Sequence, residues 1–144
     1  MIISLHHVGG QEIATQILGC QLRRLNEGRS SGSVLAGEVE LENVSNSPFE
    51  IPVRSSPLQH LNLIVTDAQD RIVSTSHYGD LFSPGVQERL FRLLPGEKFT
   101  SPVSLLATVP PEERRPGIYS IRAIYEADGV RAASPPFLLD WQAE

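Results

Sequence analysis

The sequence predicts an all-β protein that folds as one antiparallel β-sandwich of about eight strands. The clearest indication lies late in the chain, where Pro116-Gly117 is followed by alternating apolar and polar residues up to Tyr125. Such alternation turns one face of a strand towards a core and the other towards solvent. In addition, 11 Pro and 11 Gly are spread along the chain, which is typical of many short strands joined by turns.

The other strands follow from the same pattern. Asp128-Gly129 supplies the positive φ angles of a tight hairpin, so the chain is expected to return from the late strand through Val130 to Ser134. Residues 38–42 alternate between glutamate and apolar side chains, and 49–53 alternate again after a turn. Further short apolar runs predict strands at 61–65, 72–73, 90–94, 99–109 and 137–141.

The first 33 residues form an N-terminal strand or arm followed by a Gly/Ser loop at 28–33. Residues 13–25 fit both a strand and a helical stripe, so both remain open, although Gly19 and the all-β context favour a strand. The loop is too short to link two domains. We therefore expect one domain over residues 1–144, with the core sandwich at 34–141.

Composition excludes several classes of protein. The 144 residues are 40% hydrophobic and 20% charged, which indicates a globular chain, and the net charge of −5 argues against a nucleic-acid-binding or anionic-membrane surface. No window resembles a membrane span, and residues 1–7 lack the pattern of a signal peptide. Cys20 is the single cysteine, so an intrachain disulfide is excluded. A cytoplasmic location is expected, although a domain of an exported protein would look the same.

Several turns carry a resemblance to known families. Pro116-Gly117-Ile118-Tyr119 resembles the tyrosine corner of immunoglobulin-like sandwiches. Together with Leu41 to Ser45 and Leu94-Pro95-Gly96-Glu97, it makes residues 38–139 resemble bacterial immunoglobulin-like or fibronectin-III-like modules, and more specifically the Bacillus-type intracellular proteinase inhibitors. That resemblance implies a small sandwich without disulfides and an inhibitory loop. A glycine is usual in that group where this chain has Asp70.

The stretch from His77 to Arg89 is the candidate binding surface. It is long and has little regular pattern, and such connections in compact domains are often binding loops. Its candidate anchors are Tyr78, Leu81 and Phe82, because large rigid apolar side chains dominate interface energies. The alternative is that Leu81 and Phe82 fold back and plug one end of the sandwich. The leading hypothesis is a non-enzymatic module that binds a protein partner, with protease inhibition as a special case.

Two other functions stay open on the sequence. A carbohydrate-binding sandwich would need exposed Trp141 together with Glu38 or Glu40, because aromatic rings stack on sugars. A structural or assembly domain would pair its edge strands with another copy. The oligomeric state is not encoded in any motif.

No pattern predicts an enzyme, a metal or a cofactor. Glu38, Glu40 and Glu42 share one strand face and are interpreted as a solvated surface rather than a cation site. The histidines lack metal-ligand spacing. Ser76, His77 and Asp80 lie within five residues of one loop, which rarely lets three catalytic groups converge.

Overall fold

A computed structural model describes residues 5–8, 11–14, 16–25, 36–82, 85 and 87–141, the first two ranges as backbone only. Every ladder between its strands is antiparallel. The described helices are short 3-10 turns: η1 (Pro57–His60), η2 (Tyr78–Leu81) and η3 (Pro111–Glu113). The predicted all-β class is confirmed.

The strands are numbered in chain order. They are β1 (Leu5–Val8), β2 (Gln11–Ala14), β3 (Leu18–Arg24), β4 (Ala36–Asn43), β5 (Phe49–Val53), β6 (Leu61–Thr66), β7 (Arg89–Leu93), β8 (Lys98–Ser104), β9 (Gly117–Ala127), β10 (Val130–Ala133) and β11 (Phe137–Trp141). The structure has more strands than the expected number of about eight. One long antiparallel pair is interrupted and counts as β4 and β5 opposite β7 and β8, and Pro135-Pro136 separates β10 from β11. Of the ambiguous stretch 13–25, residues 18–24 are a strand. The Gly/Ser loop at 28–33 lies outside the described residues.

One sheet has the order β3-β4-β8, and the β5–β7 ladder continues it. Glu42 of β4 lies opposite Lys98, and Phe49 of β5 lies opposite Leu93, so β4 and β5 act as one interrupted strand with β7 and β8 as its partner. The two interruptions, 44–48 and 94–97, face each other. The predicted strand at 99–109 is shorter than expected, because the chain turns after Ser104.

The paired interruption is organised by the buried side chain of Asn43. Its Nδ2 donates hydrogen bonds to the carbonyl oxygens of Ser47 and Leu93, both at 2.8 Å. Its Oδ1 accepts from the backbone N and the hydroxyl of Ser45. On the backbone, Asn43 N donates to Glu97 O, and Gly96 N donates to Asn43 O. Asn43 therefore provides hydrogen-bond partners for backbone groups of both interruptions. Without it, these N–H and C=O groups would be unpaired near the core.

The second sheet is built on β9, which pairs with β6 on one side and with β10 and β11 on the other. Burial alternates along β9 as the sequence predicts. The Asp128-Gly129 turn has positive φ at both residues (53° and 80°), so the predicted hairpin is confirmed. On the free side of β6, Thr66 bridges to Ile72.

The two sheets enclose one hydrophobic core. β3 lies against β9 and β10, and the Sγ of Cys20 on β3 is 3.9 Å from the carbonyl oxygen of Ala123 on β9. The buried apolar side chains of both sheets form a single cluster, whose largest fully buried members include Tyr125, Phe49 and Leu18. These contacts describe an antiparallel β-sandwich.

The turn from Arg115 to Tyr119, called the tyrosine corner below, is closed by the hydroxyl group of Tyr119. Gly117 begins β9 with a backbone φ of 148°, a conformation that residues other than glycine rarely adopt. The Tyr119 hydroxyl then returns to the backbone of Arg115, donating to its carbonyl oxygen and accepting from its N–H at 2.9 Å. The corner thus anchors the crossover that follows η3.

Among the described residues, no helix has both the length and the apolar character needed to span a membrane.

Candidate functional site

The three candidate anchors of the 77–89 stretch differ in how far their side chains are exposed to solvent. Tyr78 is only 6% exposed, so it is a core residue and not an exposed anchor, which corrects the expectation for this side chain. Phe82 is half-buried, packs against the core and lies 5.8 Å from the Tyr78 ring. Leu81 is 54% exposed. The plug alternative therefore describes Phe82, while Leu81 stays accessible.

Tyr78 joins η2 to both sheets. Its backbone N donates to Oδ1 of Asn62 on β6 at 3.1 Å, and its hydroxyl accepts from the backbone N of Ser104 on β8 at 3.3 Å. Burial raises the pKa of the Tyr78 phenol, and the Ser104 N–H opposes that rise in part. The neutral phenol is therefore the form that the site holds.

A glycine allows η2 to pack directly on η1. A Cβ at Gly79 would lie 2.0 Å from the backbone oxygen of Gln59, a separation that real atoms do not adopt. Gly79 N is also capped by Nδ1 of His77 at 3.0 Å. No local pattern around Gly79 predicts this contact, because its partner η1 lies before strand β6 in the chain.

The segment after η2 is tied down as well. Gly85 N donates to Arg54 O at 2.9 Å, and Arg89 donates through Nη2 to Ser55 O at 2.9 Å. Arg54 itself is held in place by the Gln59 side chain, whose Oε1 accepts a hydrogen bond from Arg54 N at 2.8 Å. Residues 83, 84 and 86 lie outside the described part of the chain. The described residues Gly85 and Arg89 of the predicted loop are therefore braced against the turn at 54–55.

The glutamate face of β4 is charge-paired. The Arg23 guanidinium bonds Glu38 at 2.9 Å and Glu40 at 2.7 Å, and Lys98 Nζ lies 4.0 Å from Glu40. The hydrogen bonds to Glu40 and then to Glu38 raise the pKa of Arg23 further. Within the described residues, no group of three His, Cys, Asp or Glu side chains is arranged to hold a metal ion.

The proposed sugar platform is not assembled. Trp141 is half-buried on β11 and packs against the core. Glu38 and Glu40 lie on β4 in the other sheet and alternate with buried residues, so they face outward. The structure does not bring these side chains together.

The Ser76, His77 and Asp80 group also lacks a catalytic arrangement. His77 Nδ1 accepts the hydrogen bond from Gly79 N, which is a helix-capping role. All three residues are exposed. Among the described residues, no side-chain hydrogen bond joins any two of them; the one bond between His77 and Asp80 is the backbone bond of the turn, from Asp80 N to His77 O at 3.0 Å.

A shallow groove that sequence reasoning missed lies beside the tyrosine corner. Its volume is about 340 Å³, and its walls include Asp67, Arg71, Glu113, Arg115 and Ile118. Asp67 is fully engaged within its own turn, because its carboxylate accepts from Gln69 N, Arg71 N and the Arg71 side chain. The hydrogen bond from the Arg71 backbone is the largest cause that lowers the pKa of Asp67.

A scan against models of known protein families finds no match, and a search of curated proteins finds none either. The resemblance to immunoglobulin-like modules and intracellular proteinase inhibitors therefore stays a prediction from turn motifs.

Proposed function

We propose that this protein is a non-enzymatic interaction module that presents η2 and the segment after it to a protein partner. The observation that carries the proposal is an exposed Leu81 on a turn whose neighbouring residues are fixed. Tyr78 and Gly79 are buried on one side of Leu81, and Phe82 packs against the core on the other.

Bracing of this kind favours binding for an entropic reason. A loop that must be ordered on association loses affinity in proportion to the freedom it gives up, whereas a preorganised loop does not. Here the bond from Tyr78 N to Asn62 holds the backbone before Leu81, and the bond from Gly85 N to Arg54 holds it further along the chain. The bond from Ser104 N to the Tyr78 hydroxyl fixes the Tyr78 side chain. An apolar side chain held in this way is suited to fill a pocket on the partner.

Protease inhibition is the special case that the family resemblance suggests. Phe82 leaves η2 with φ of −99° and ψ of 126°, so the chain turns from a helical to an extended conformation at this residue. Extended backbone is what a protease cleft accepts, and Phe82 offers it directly after the exposed Leu81. Inhibition of a serine-protease panel by the native chain, lost in Leu81→Ser, is the expected result, since Leu81 is exposed and its replacement leaves the core intact. No inhibition by the native chain, or equal inhibition by Leu81→Ser, would contradict it.

A pull-down from source-cell lysate tests the general proposal. The baits are the native chain, Leu81→Ser, and Leu94→Ser as the matched control, since Leu94 is 47% exposed in a different turn. We expect a protein that is captured by the native and Leu94→Ser chains and lost with Leu81→Ser. Equal capture by all three baits, or by none, contradicts the proposal.

A cytoplasmic location belongs to the same proposal. Its support is that the described fold is held by its core, with Cys20 buried as a free thiol. Fractionation of source cells checks it, and recovery in the exported fraction would contradict it.

A further inference from the structure

The groove beside the tyrosine corner lies where two paired strands separate. β6 and β9 are paired as far as Thr66 and Ser120. The chain then turns away from β9, because the Asp67 carboxylate accepts hydrogen bonds from the backbone and side chain of Arg71. β9 extends further in this direction, to Gly117. Within the described residues, the first part of β9 therefore has no strand beside it on the β6 side, and the groove occupies this position.

The backbone of Ile118 faces into this groove. Ala123 O accepts from Ser134 N, and Ala123 N donates to Ser134 Oγ, so the odd-numbered residues of β9 direct their backbone groups towards β10 and β11. Since bonded sides alternate along an antiparallel strand, the even-numbered residues face β6. Ser120 is the last of these that β6 reaches, and Ile118 is the next. Among the described residues, neither the N–H nor the C=O of Ile118 has a hydrogen-bond partner.

The side chains around the groove balance in charge. Arg71 is ion-paired with Asp67 at 2.9 Å, while Arg115 and Glu113 are both exposed. In the described part of the chain, neither Arg115 nor Glu113 has an ion-pair partner. Two cations and two anions give no net attraction for a charged ligand. A peptide unit is neutral and offers one donor and one acceptor, so it matches both the charge balance and the two backbone groups of Ile118.

We propose that the groove binds an extended, uncharged peptide segment of a partner protein, which pairs antiparallel with Ile118 in the place of a continued β6. One residue of the segment exchanges both N–H···O bonds with Ile118, as only an antiparallel pair does. This residue is apolar, because its side chain lies beside that of Ile118, which is 52% exposed, and apolar cross-strand pairs stabilise a ladder. The volume of about 340 Å³ is near the lower end for ligand sites, so the bound segment is short.

The groove is separate from the surface formed by η2. The η2 turn contacts β6 at Asn62, near the start of the strand, through the backbone N of Tyr78. The groove begins beyond Thr66, at the other end of β6 and about 13 Å further along the strand. Binding in the groove does not depend on η2, so each proposal can fail without the other.

Titration of the isotope-labelled whole chain with a blocked tripeptide, acetyl-Ala-Val-Ala-amide, is the first test. A short segment in a shallow groove buries little area, so we expect a dissociation constant of about 1 mM. In amide NMR spectra, the signals of Ile118 and of residues 67–71 are expected to shift and saturate, while that of Leu81 stays in place. The absence of a saturable shift up to about 20 mM peptide, or a shift confined to other residues, overturns the proposal.

Changes in the peptide test the backbone pairing without altering the protein. Methylation of the valine nitrogen removes the donor that pairs with Ile118 O, and we expect binding to weaken at least about tenfold. Equal binding of the methylated and unmethylated peptides overturns the proposal. Sodium acetate is the matched probe for a simple anion site at Arg115, and it is expected not to compete with the peptide. Displacement of the peptide by acetate at equal concentration would show an anion site and overturns the proposal.

Variants of the protein locate the site. Ile118→Pro removes the N–H that faces the groove without removing a ladder bond, and we expect at least about tenfold weaker binding. Ile118→Ser keeps the backbone but loses the apolar cross-strand contact, for about threefold weaker binding. Leu90→Ser is the matched control, because Leu90 is 59% exposed on the other sheet, and it is expected to bind like the native chain. Undiminished binding by Ile118→Ser together with Ile118→Pro, or an equal loss in Leu90→Ser, overturns the proposal. If Ile118→Pro does not fold, Ile118→Ser and the methylated peptide decide the matter.

Discussion

The tyrosine corner and the η2 turn each tie a connection to the sandwich through a buried tyrosine, but over very different sequence distances. Tyr119 bonds the backbone of Arg115, four residues earlier. Tyr78 bonds Ser104 and Asn62, which are 26 and 16 residues away. The corner therefore closes with its own residues, whereas the η2 turn needs both sheets to be in place.

The difference in sequence separation shows which contacts of this fold form between residues that are close in the chain. A contact between near neighbours costs little loop-closure entropy and leaves a readable motif, as in Pro116-Gly117-Ile118-Tyr119. A contact between distant segments depends on the assembled core and leaves no motif. Changes in the buried residues of η2, Tyr78 and Gly79, should therefore disturb the whole fold and the proposed binding surface together.

The largest effect is expected for Tyr78→Ala. The substitution removes a buried ring that packs on Phe82 and leaves a cavity, so the free energy of unfolding should fall by about 3–5 kcal/mol. Urea unfolding followed by fluorescence measures it. Leu81→Ala is the control, since its side chain is exposed and should change the stability by less than about 0.5 kcal/mol. A loss below about 1 kcal/mol in Tyr78→Ala would show that η2 does not depend on this ring.

Two glycines give a sharper comparison. In Gly79→Ala the new methyl meets the backbone of Gln59, and we expect a loss of about 2–3 kcal/mol because neither turn can give way without breaking its contacts. In Gly117→Ala the methyl meets open space, so only the unfavourable φ of 148° opposes it, at about 1–2 kcal/mol. Thermal unfolding of the two variants checks the order. The reverse order would contradict the close packing of η2 on η1.

Removing the two hydroxyls separates the roles of the tyrosines. Tyr119→Phe loses both bonds to Arg115, for about 1–2 kcal/mol, whereas Tyr78→Phe loses one long bond from Ser104, for about 0.5–1 kcal/mol. The hydroxyl group of Tyr119 is thus expected to contribute more to the stability of the fold than that of Tyr78. The ring of Tyr78 is expected to contribute more than its own hydroxyl group. Chemical unfolding of both variants tests this, and an equal loss would remove the distinction.

The smallest effect concerns acid. Hydrogen bonds from Arg71 and Gln69 lower the pKa of Asp67 in the folded state, so its stabilising contribution is present above the unfolded pKa and is lost as the pH falls through the folded value. Asp67→Asn should therefore show a weaker decline in stability below about pH 4 than the native chain. Melting temperatures from pH 7 to pH 2 measure it. Parallel curves would indicate that this turn, although local like the corner, contributes no acid dependence.

Local patterns made much of this fold predictable. The alternation from Tyr119 to Tyr125 and the Asp128-Gly129 hairpin are confirmed because each depends on residues close in sequence. The bonds between Tyr119 and Arg115 are local as well. The site was less accessible. Tyr78 was predicted to be a surface anchor because the neighbouring residues in the sequence do not indicate its partners. Those partners, Asn62 and Ser104, lie on two different strands. The close approach at Gly79 was hidden for the same reason.

The Asn43 side chain has a consequence for how this protein can vary. The side-chain amide of Asn43 bonds the carbonyl oxygens of Ser47 and of Leu93 at the end of β7, and its backbone bonds Gly96 and Glu97. The lengths of the two interruptions, 44–48 and 94–97, are therefore coupled. An inserted residue in either one moves partners that the other needs. Peptides grafted there would have to be exchanged as pairs, whereas the Asp128-Gly129 turn, which makes its own geometry, can be replaced alone.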